Sequence, residues 1–252
     1  MRLAPDSPWR ARLNRWRRRA WHLLAHRMLF GERAGDGRVL AATRIAPSTC
    51  LEGLDGLDLA DHVFIGQFNF IEASAGLVIE EGVQITNFCS IVTHSTHRSI
   101  RLMGRLTAAA SGERIGDVRS PVRIGAYSYI GPHSLVEAGS TIGRGSLVAA
   151  YSRVRGTHPD FAVLAGNPAQ VVGDTRQRDA DWLERYPQLR EVYGAWAGTG
   201  LQGARLGLVG MGQIGTALAR RAKAFGMTIG YSNRRPVSAA IADELDAEYL
   251  SL

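Results

Sequence analysis

An aliphatic residue at every sixth position constrains this chain more than any other feature. Leu59, Ile65 and Ile71 are followed, after a two-residue slip, by Ile79, Ile85 and Ile91, and the series resumes at Ile124, Ile130, Val136, Ile142, Val148 and Val154. Four positions after most of them the residue is small or modest: Val63, Asn69, Ala75, Val83 and Cys89, then Ser128, Ser134, Ser140, Ser146 and Ser152. Glycine follows the aliphatic directly at Gly66, Gly125, Gly131 and Gly143. A period of six is neither the 3.6 of a helix nor the alternation of a flat sheet. It fits a triangular coil in which each hexapeptide supplies one short strand and one corner, with the aliphatic pointing into the prism. Stacked coils bury a continuous core that no single coil could bury alone. A mainly β prism is therefore expected over about Leu59 to Val154.

The phase is lost from Ser95 to Pro121. An insertion of that length in a regular solenoid is more often functional than decorative. It begins at His94 and His97, two of the chain's seven histidines.

Flanking segments differ in character. Residues 1–33 carry nine arginines against Asp6 and Glu32, which accounts for the whole net charge of +7. Within them, residues 9–30 read as an amphipathic helix, since Trp9, Leu13, Trp16, Ala20, Leu24 and Met28 recur at spacings of three and four. Such a helix either lies on an anionic membrane surface or packs on its own domain or a neighbouring subunit. A basic patch without a binding module does not point to nucleic acid. No window is apolar enough to cross a membrane, and arginines interrupt every apolar run that could serve as a signal peptide. Cys50 and Cys89 form no metal spacing or disulfide framework and read as reduced thiols, so a cytoplasmic location is expected, at the membrane's cytoplasmic face if the helix meets lipid.

After the repeat, Asp179 to Tyr193 reads as a helix that caps the prism, in a segment 176–197. From about 198 to 252 the pattern changes. The apolar run Leu206–Val209 leads into Gly210-Met211-Gly212-Gln213-Ile214-Gly215, a helical run to Phe225 and a second strand at 227–231. This is a partial Rossmann βαβ start, with the glycines in the strand–turn–helix context that a phosphate turn requires.

The repeat resembles the sugar and polysaccharide O-acetyltransferases of the hexapeptide-repeat kind, whose fold is a left-handed parallel β-helix. The likeness covers about residues 46–175, including the run Ile91 to Arg101 and the closing Ala165-Gly166-Asn167-Pro168-Ala169. It implies acetyl-CoA as co-substrate, a sugar or glycan acceptor, and a homotrimer with the site between neighbouring prisms. It also implies a histidine general base, a role that suits imidazole because its ordinary pKa lies near working pH. His97 and His94 are the candidates, with His97 nearer the expected register. Gln67, Asn69 and Glu72 match positions that hold the acceptor, and Ala150, Arg155, Gly166, Asn167 and Pro168 match the coenzyme groove. Gln170 stands where relatives usually carry Lys or Arg. The basic N-terminal helix suggests an acceptor in surface polysaccharide or lipid-linked glycan synthesis.

The tail resembles the cofactor domain of D-2-hydroxyacid dehydrogenases, near the glyoxylate and hydroxypyruvate reductases. Gly210, Gly212 and Gly215 match the phosphate turn, and Asn233-Arg234-Arg235 resembles members that prefer NADP. The substrate domain and the Arg, Glu and His used for hydride transfer have no counterpart, so this segment reads as a truncated remnant that is not expected to use NADP. Two other functions compete with acetyl transfer: an NADP-dependent 2-hydroxyacid dehydrogenase and a non-catalytic hexapeptide scaffold. The three zinc histidines of the carbonic-anhydrase branch have no clear match among His62, His94, His97, His133 and His158, so no metal is expected.

Overall fold

A computed structural model describes residues 7–109, 114–198 and 204–251. Arg2 and Asp6 of the basic segment, residues 110–113 of the insertion and residues 199–203 at the start of the tail lie outside the described residues. The chain divides into two compact units, Met1–Arg185 and Tyr186–Leu252.

In the first unit the aliphatics of the six-residue repeat are 0–4% exposed, from Leu59 to Val154. They line three parallel sheets, each of which takes one strand from every turn of the chain. One face carries Cys50–Glu52, Phe70–Glu72, Ser90–Val92, Leu135–Val136 and Arg153–Val154; a second carries Leu57–Leu59, Leu77–Ile79, Val122–Ile124, Thr141–Ile142 and Thr157–His158. The third runs from Val39–Ile45 through Phe64–Ile65, Gln84–Ile85, Tyr129–Ile130 and Leu147–Val148 to Ala162–Gly166. Register places like on like: Ile65, Ile85, Ile130 and Val148 are successive partners on the third face.

Corners are held by the small residues. Buried Ser128 and Ser134 donate their hydroxyls to the carbonyls of Gly143 and Ala149, at 2.9 and 3.0 Å, one turn further on. They also accept from the amides of Ser146 and Ser152. Each hydroxyl thus satisfies two backbone groups that a corner would otherwise bury unpaired. The glycines after the aliphatics answer to crowding. A Cβ on Gly131 would stand 2.6 Å from the backbone of Ala149–Ala150, in the next turn. At another corner Phe68, Phe88, His133 and Tyr151 adopt positive φ near 60°. Their rings stack in a column with centroids 5.2, 5.0 and 4.8 Å apart, a contact that helps offset the strain of that backbone conformation.

Ile130 sits midway along its column, and truncating it leaves a cavity that neighbours locked in register cannot fill. Ile130→Ala is expected to cost about 3–4 kcal/mol of unfolding free energy, read as a lower denaturant midpoint at unchanged m-value.

Three expectations need correction. Helix α1 spans Pro8–Ala25 rather than 9–30, because Leu29–Arg33 pairs antiparallel with Val39–Ile45 and closes one end of the third face. The prism therefore begins before residue 46, and Leu40 and Ile45 belong to its core. The segment 176–197 is not one helix. Thr175–Arg185 ends before Pro187, whose ring cannot continue the ladder, and Arg190–Ala197 begins a separate helix in the second unit.

The second unit holds a three-stranded parallel sheet, Arg205–Val209, Thr228–Ser232 and Ala247–Tyr249, with helices Gln213–Ala224 and Ala239–Leu245. The last helix and strand extend the expected βαβ start. Met211, Ala219, Ala222, Ile229, Tyr231 and Leu245 form its core.

Candidate active site

The first face of the prism ends, turn by turn, on Glu72, Val92 and Val154. Glu72 pairs in register with Val92, so the chain leaving Val92 passes over the Glu72 carboxylate. Thr93 and His94 follow, and there the insertion departs. Its base is a short antiparallel pair, His94–Ser95 with Val118–Arg119, which fixes both ends of the insertion at the prism edge.

Glu72 is 2% exposed, and four donors converge on it. The Ser74 amide reaches Oε1 at 2.6 Å; the Thr93 amide and hydroxyl reach Oε2 at 3.0 and 2.8 Å. His94 Nδ1 lies 2.8 Å from the same Oε2. Burial alone would push the carboxyl pKa up, but hydrogen bonds from Ser74, His94 and Thr93 outweigh it and hold it at about 2. Glu72 is therefore a buried anion. His94 Nδ1 is itself buried, with the Glu72 carboxylate 2.8 Å away as the acceptor beside it, an arrangement that favours the tautomer with the proton on Nδ1 and the lone pair on Nε2.

The His94 side chain is 37% exposed and opens on a cleft of about 430 Å³. Val92, Val118 and Leu135 supply apolar wall, Arg98, Glu137, Arg153 and Arg155 supply charge, and His97 supplies an imidazole. Arg153 is engaged by Glu137 at 2.8 Å. Among the described residues Arg98 and Arg155 form no ion pair and remain able to meet an anion.

The expected site residues separate into groups. Glu72, His94, His97 and Arg155 come together at one edge of this face. His97 is exposed, and its Nδ1 lies 2.8 Å from the hydroxyl of Ser95, a partner that does not set the tautomer as a carboxylate would. Gln67 and Asn69 stand at the opposite edge, before strand Phe70–Glu72. Asn69 is buried, and its amide is committed within the coil, to the carbonyls of Gly66 and Thr86 and the amide of Cys89. Gln67 donates to the His26 carbonyl at 2.8 Å and accepts from Ser48. Neither lines the His94 cleft of its own chain. Ala150 and the Gly166-Asn167-Pro168 turn also lie at the edge where the strands begin, away from Arg155 by the width of the face, roughly 10 Å for three residues of strand.

Ser74, Thr93 and Arg98 were missed. A signal for the first two was present in the sequence: early turns are twenty residues long, as Cys50 over Phe70 and Phe70 over Ser90 record. That spacing sets His94 over Ser74, next to the end of Glu72.

In the second unit the glycine turn is formed as expected. Gly210 has φ of 98°, and a Cβ on Gly215 would stand 2.4 Å from the Gly210 carbonyl oxygen. Gly212 precedes the first turn of helix Gln213–Ala224. The Asn233 side chain accepts from the Met211 amide at 2.6 Å, and Arg234 and Arg235 are exposed beyond it. Open glycine backbone at a helix N-terminus fits a dinucleotide's phosphates.

Comparison with known proteins separates the same two parts. The model of the D-isomer specific 2-hydroxyacid dehydrogenase NAD binding domain matches residues 168–252, beginning earlier than the expected 198. A Mycobacterium tuberculosis protein named as a probable acetyltransferase is 33% identical over 141 residues, which is 56% of this chain and 44% of that protein. The prism is similar to acetyltransferases; the tail is similar to 2-hydroxyacid dehydrogenases. A glyoxylate reductase of Thermococcus litoralis is 38% identical over 91 residues, covering 36% of this chain and 27% of that enzyme. Among solved structures, a hexapeptide-repeat acetyltransferase of Vibrio cholerae complexed with acetyl coenzyme A superposes with a TM-score of 0.45 at 21% identity, covering 64% of this chain and 77% of that one. The chain spans less than half the length of these two curated relatives.

Proposed function

We propose that the prism is an acetyl-CoA-dependent O-acetyltransferase acting on a sugar hydroxyl, with His94 as general base. The observation that carries this reading is the Glu72–His94 pair, set where the repeat breaks and opening on a charged cleft. Nε2 of His94 accepts the hydroxyl proton as the oxygen attacks the thioester carbonyl. The carbon–sulfur bond then breaks, and the imidazolium returns the proton to the departing thiolate. The anionic Glu72 keeps Nδ1 protonated and stabilises the imidazolium that forms. Thr93 and Ser74 hold Glu72 in place, and His97 lines the cleft without a carboxylate behind it. Arg155 and Arg98 supply charge for coenzyme phosphates.

The separation of Arg155 from Ala150, Gly166, Asn167 and Pro168 across one face supports a groove completed by a second copy. The proposed assembly is a homotrimer of left-handed prisms, with acetyl-CoA between neighbours. The proposed acceptor is a sugar of surface polysaccharide or of a lipid-linked glycan, modified in the cytoplasm. Gly210, Gly215 and the exposed Arg234–Arg235 favour a second, separate reading for the tail, in which it is a dinucleotide-binding segment that holds NADP phosphates without reducing a substrate. Acetyl-CoA turnover by the full chain against a panel of nucleotide sugars and glycans is the direct test. One acceptor is expected to gain 42 Da on oxygen, about the mass of an acetyl group less one hydrogen. Transfer only to an amine, or no affinity for acetyl-CoA in calorimetry, would overturn the assignment.

A further inference from the structure

Helix α1 has no buried residue along its 18 positions. Trp9 is 68% exposed, Trp16 66%, Leu23 60% and Leu24 77%. Large apolar side chains are costly to leave in water, and no described part of the chain covers these. Their arrangement is ordered. At about 100° per residue, Trp9, Leu13, Trp16, Ala20, Leu23 and Leu24 fall within one arc of about 100°. Arg12 and Arg19 lie along one margin of that arc, Arg10 and Arg17 along the other, and Arg15 and Arg18 behind. The helix contains no acidic residue. Trp21 alone among the large apolar residues falls outside the stripe.

We propose that this stripe and its arginine margins form a docking surface for an anionic lipid bilayer, with α1 lying in the plane of the interface. The two properties together select this occupant. A second copy of the helix would set arginine margin against arginine margin with no carboxylate in either helix to relieve the repulsion. A nucleic acid would meet the arginines and leave the tryptophan stripe in water. An anionic bilayer satisfies both, because indole and leucine side chains enter the headgroup boundary while flanking guanidiniums reach lipid phosphates. The helix does not cross the bilayer, since no described helix is long and apolar enough to do so. At 18 residues it spans about 27 Å along the surface. Its final turn connects to the prism, where the His26 carbonyl accepts from Gln67 and the His26 ring packs edge-on against Phe68. Docking of α1 therefore holds the prism near the bilayer surface.

The test is sedimentation of the full chain with vesicles of phosphatidylcholine alone and with vesicles in which about a third of the lipid is phosphatidylglycerol. Binding to the anionic vesicles is expected, falling steeply with added salt. The double variant Trp16→Glu, Leu24→Glu is expected to weaken binding at least tenfold. Arg12→Gln and Arg19→Gln should each cost roughly fivefold, the factor that corresponds to one surface charge. Because no α1 residue is buried, all variants should keep the thermal transition of the prism. Failure of the parent chain to bind anionic vesicles overturns the proposal. So does undiminished binding by the glutamate variant, which would mean that charge alone is at work. Concentration-dependent self-association that the glutamate variant abolishes, in the absence of lipid binding, would assign the stripe to a second copy instead.

Discussion

His94→Ala is expected to lower kcat/KM for acetyl transfer by about 10²–10⁴-fold, the usual contribution of a general base. His97→Ala is expected to change it by less than about tenfold. The two residues are three apart in sequence, yet their surroundings differ in kind. His94 has a buried carboxylate 2.8 Å from Nδ1, which fixes its tautomer and leaves Nε2 basic toward the cleft. His97 has a serine hydroxyl, which can donate or accept and so fixes nothing. Steady-state kinetics with acetyl-CoA saturating and the acceptor varied would check this pair. A loss in His97→Ala equal to that in His94→Ala would return the base to His97, and full activity in both would sink the histidine mechanism.

Glu72→Gln is expected to lower kcat by about 10²–10³-fold and to cost about 2–3 kcal/mol of stability. Every group facing the carboxylate is a donor: the Ser74 amide on one oxygen, and Thr93 and His94 on the other. An amide in its place must turn its NH₂ toward one of those donors in either orientation, leaving a buried N–H unpaired. If the NH₂ faces His94, the ring is driven to the wrong tautomer as well. The same residue shapes acid stability. Its pKa falls from 4.5 in the unfolded chain to about 2 when folded, so its stabilising contribution is fully present above about pH 4.5 and is lost as pH falls toward 2. Unfolding free energy measured across that window should drop in the parent chain and lose this part of its slope in Glu72→Gln. A parallel pH profile in the two proteins would show that Glu72 is not the charged group described.

A period of six that ran from Leu59 to Val154 needed no structure to be read as a prism interior, because only a triangular coil buries every sixth residue. The glycine turn at Gly210 to Gly215 was legible for a similar reason, since local backbone constraints dictate it. The site was legible in part. His94, His97, Glu72 and Arg155 were all singled out, yet so were Asn69 and Gln67, which the coil and the end of α1 consume. Resemblance indicates which positions matter in relatives, but it cannot say which oxygen a buried amide faces.

The sequence by itself determined the repeat, the place where it breaks and the charge asymmetry of the first 33 residues, because each follows from residue type and spacing along the chain. Only the tertiary structure distinguishes the surroundings of the two histidines. Glu72 and His94 are 22 positions apart and meet because one turn of the prism lays Val92 over Glu72. The tautomer of an imidazole is set by whatever stands across its Nδ1, a contact between neighbouring turns that linear spacing alone does not display. The same holds for α1. Its stripe was visible in the spacing, but that nothing in the described chain covers it became visible only once the prism was complete without it.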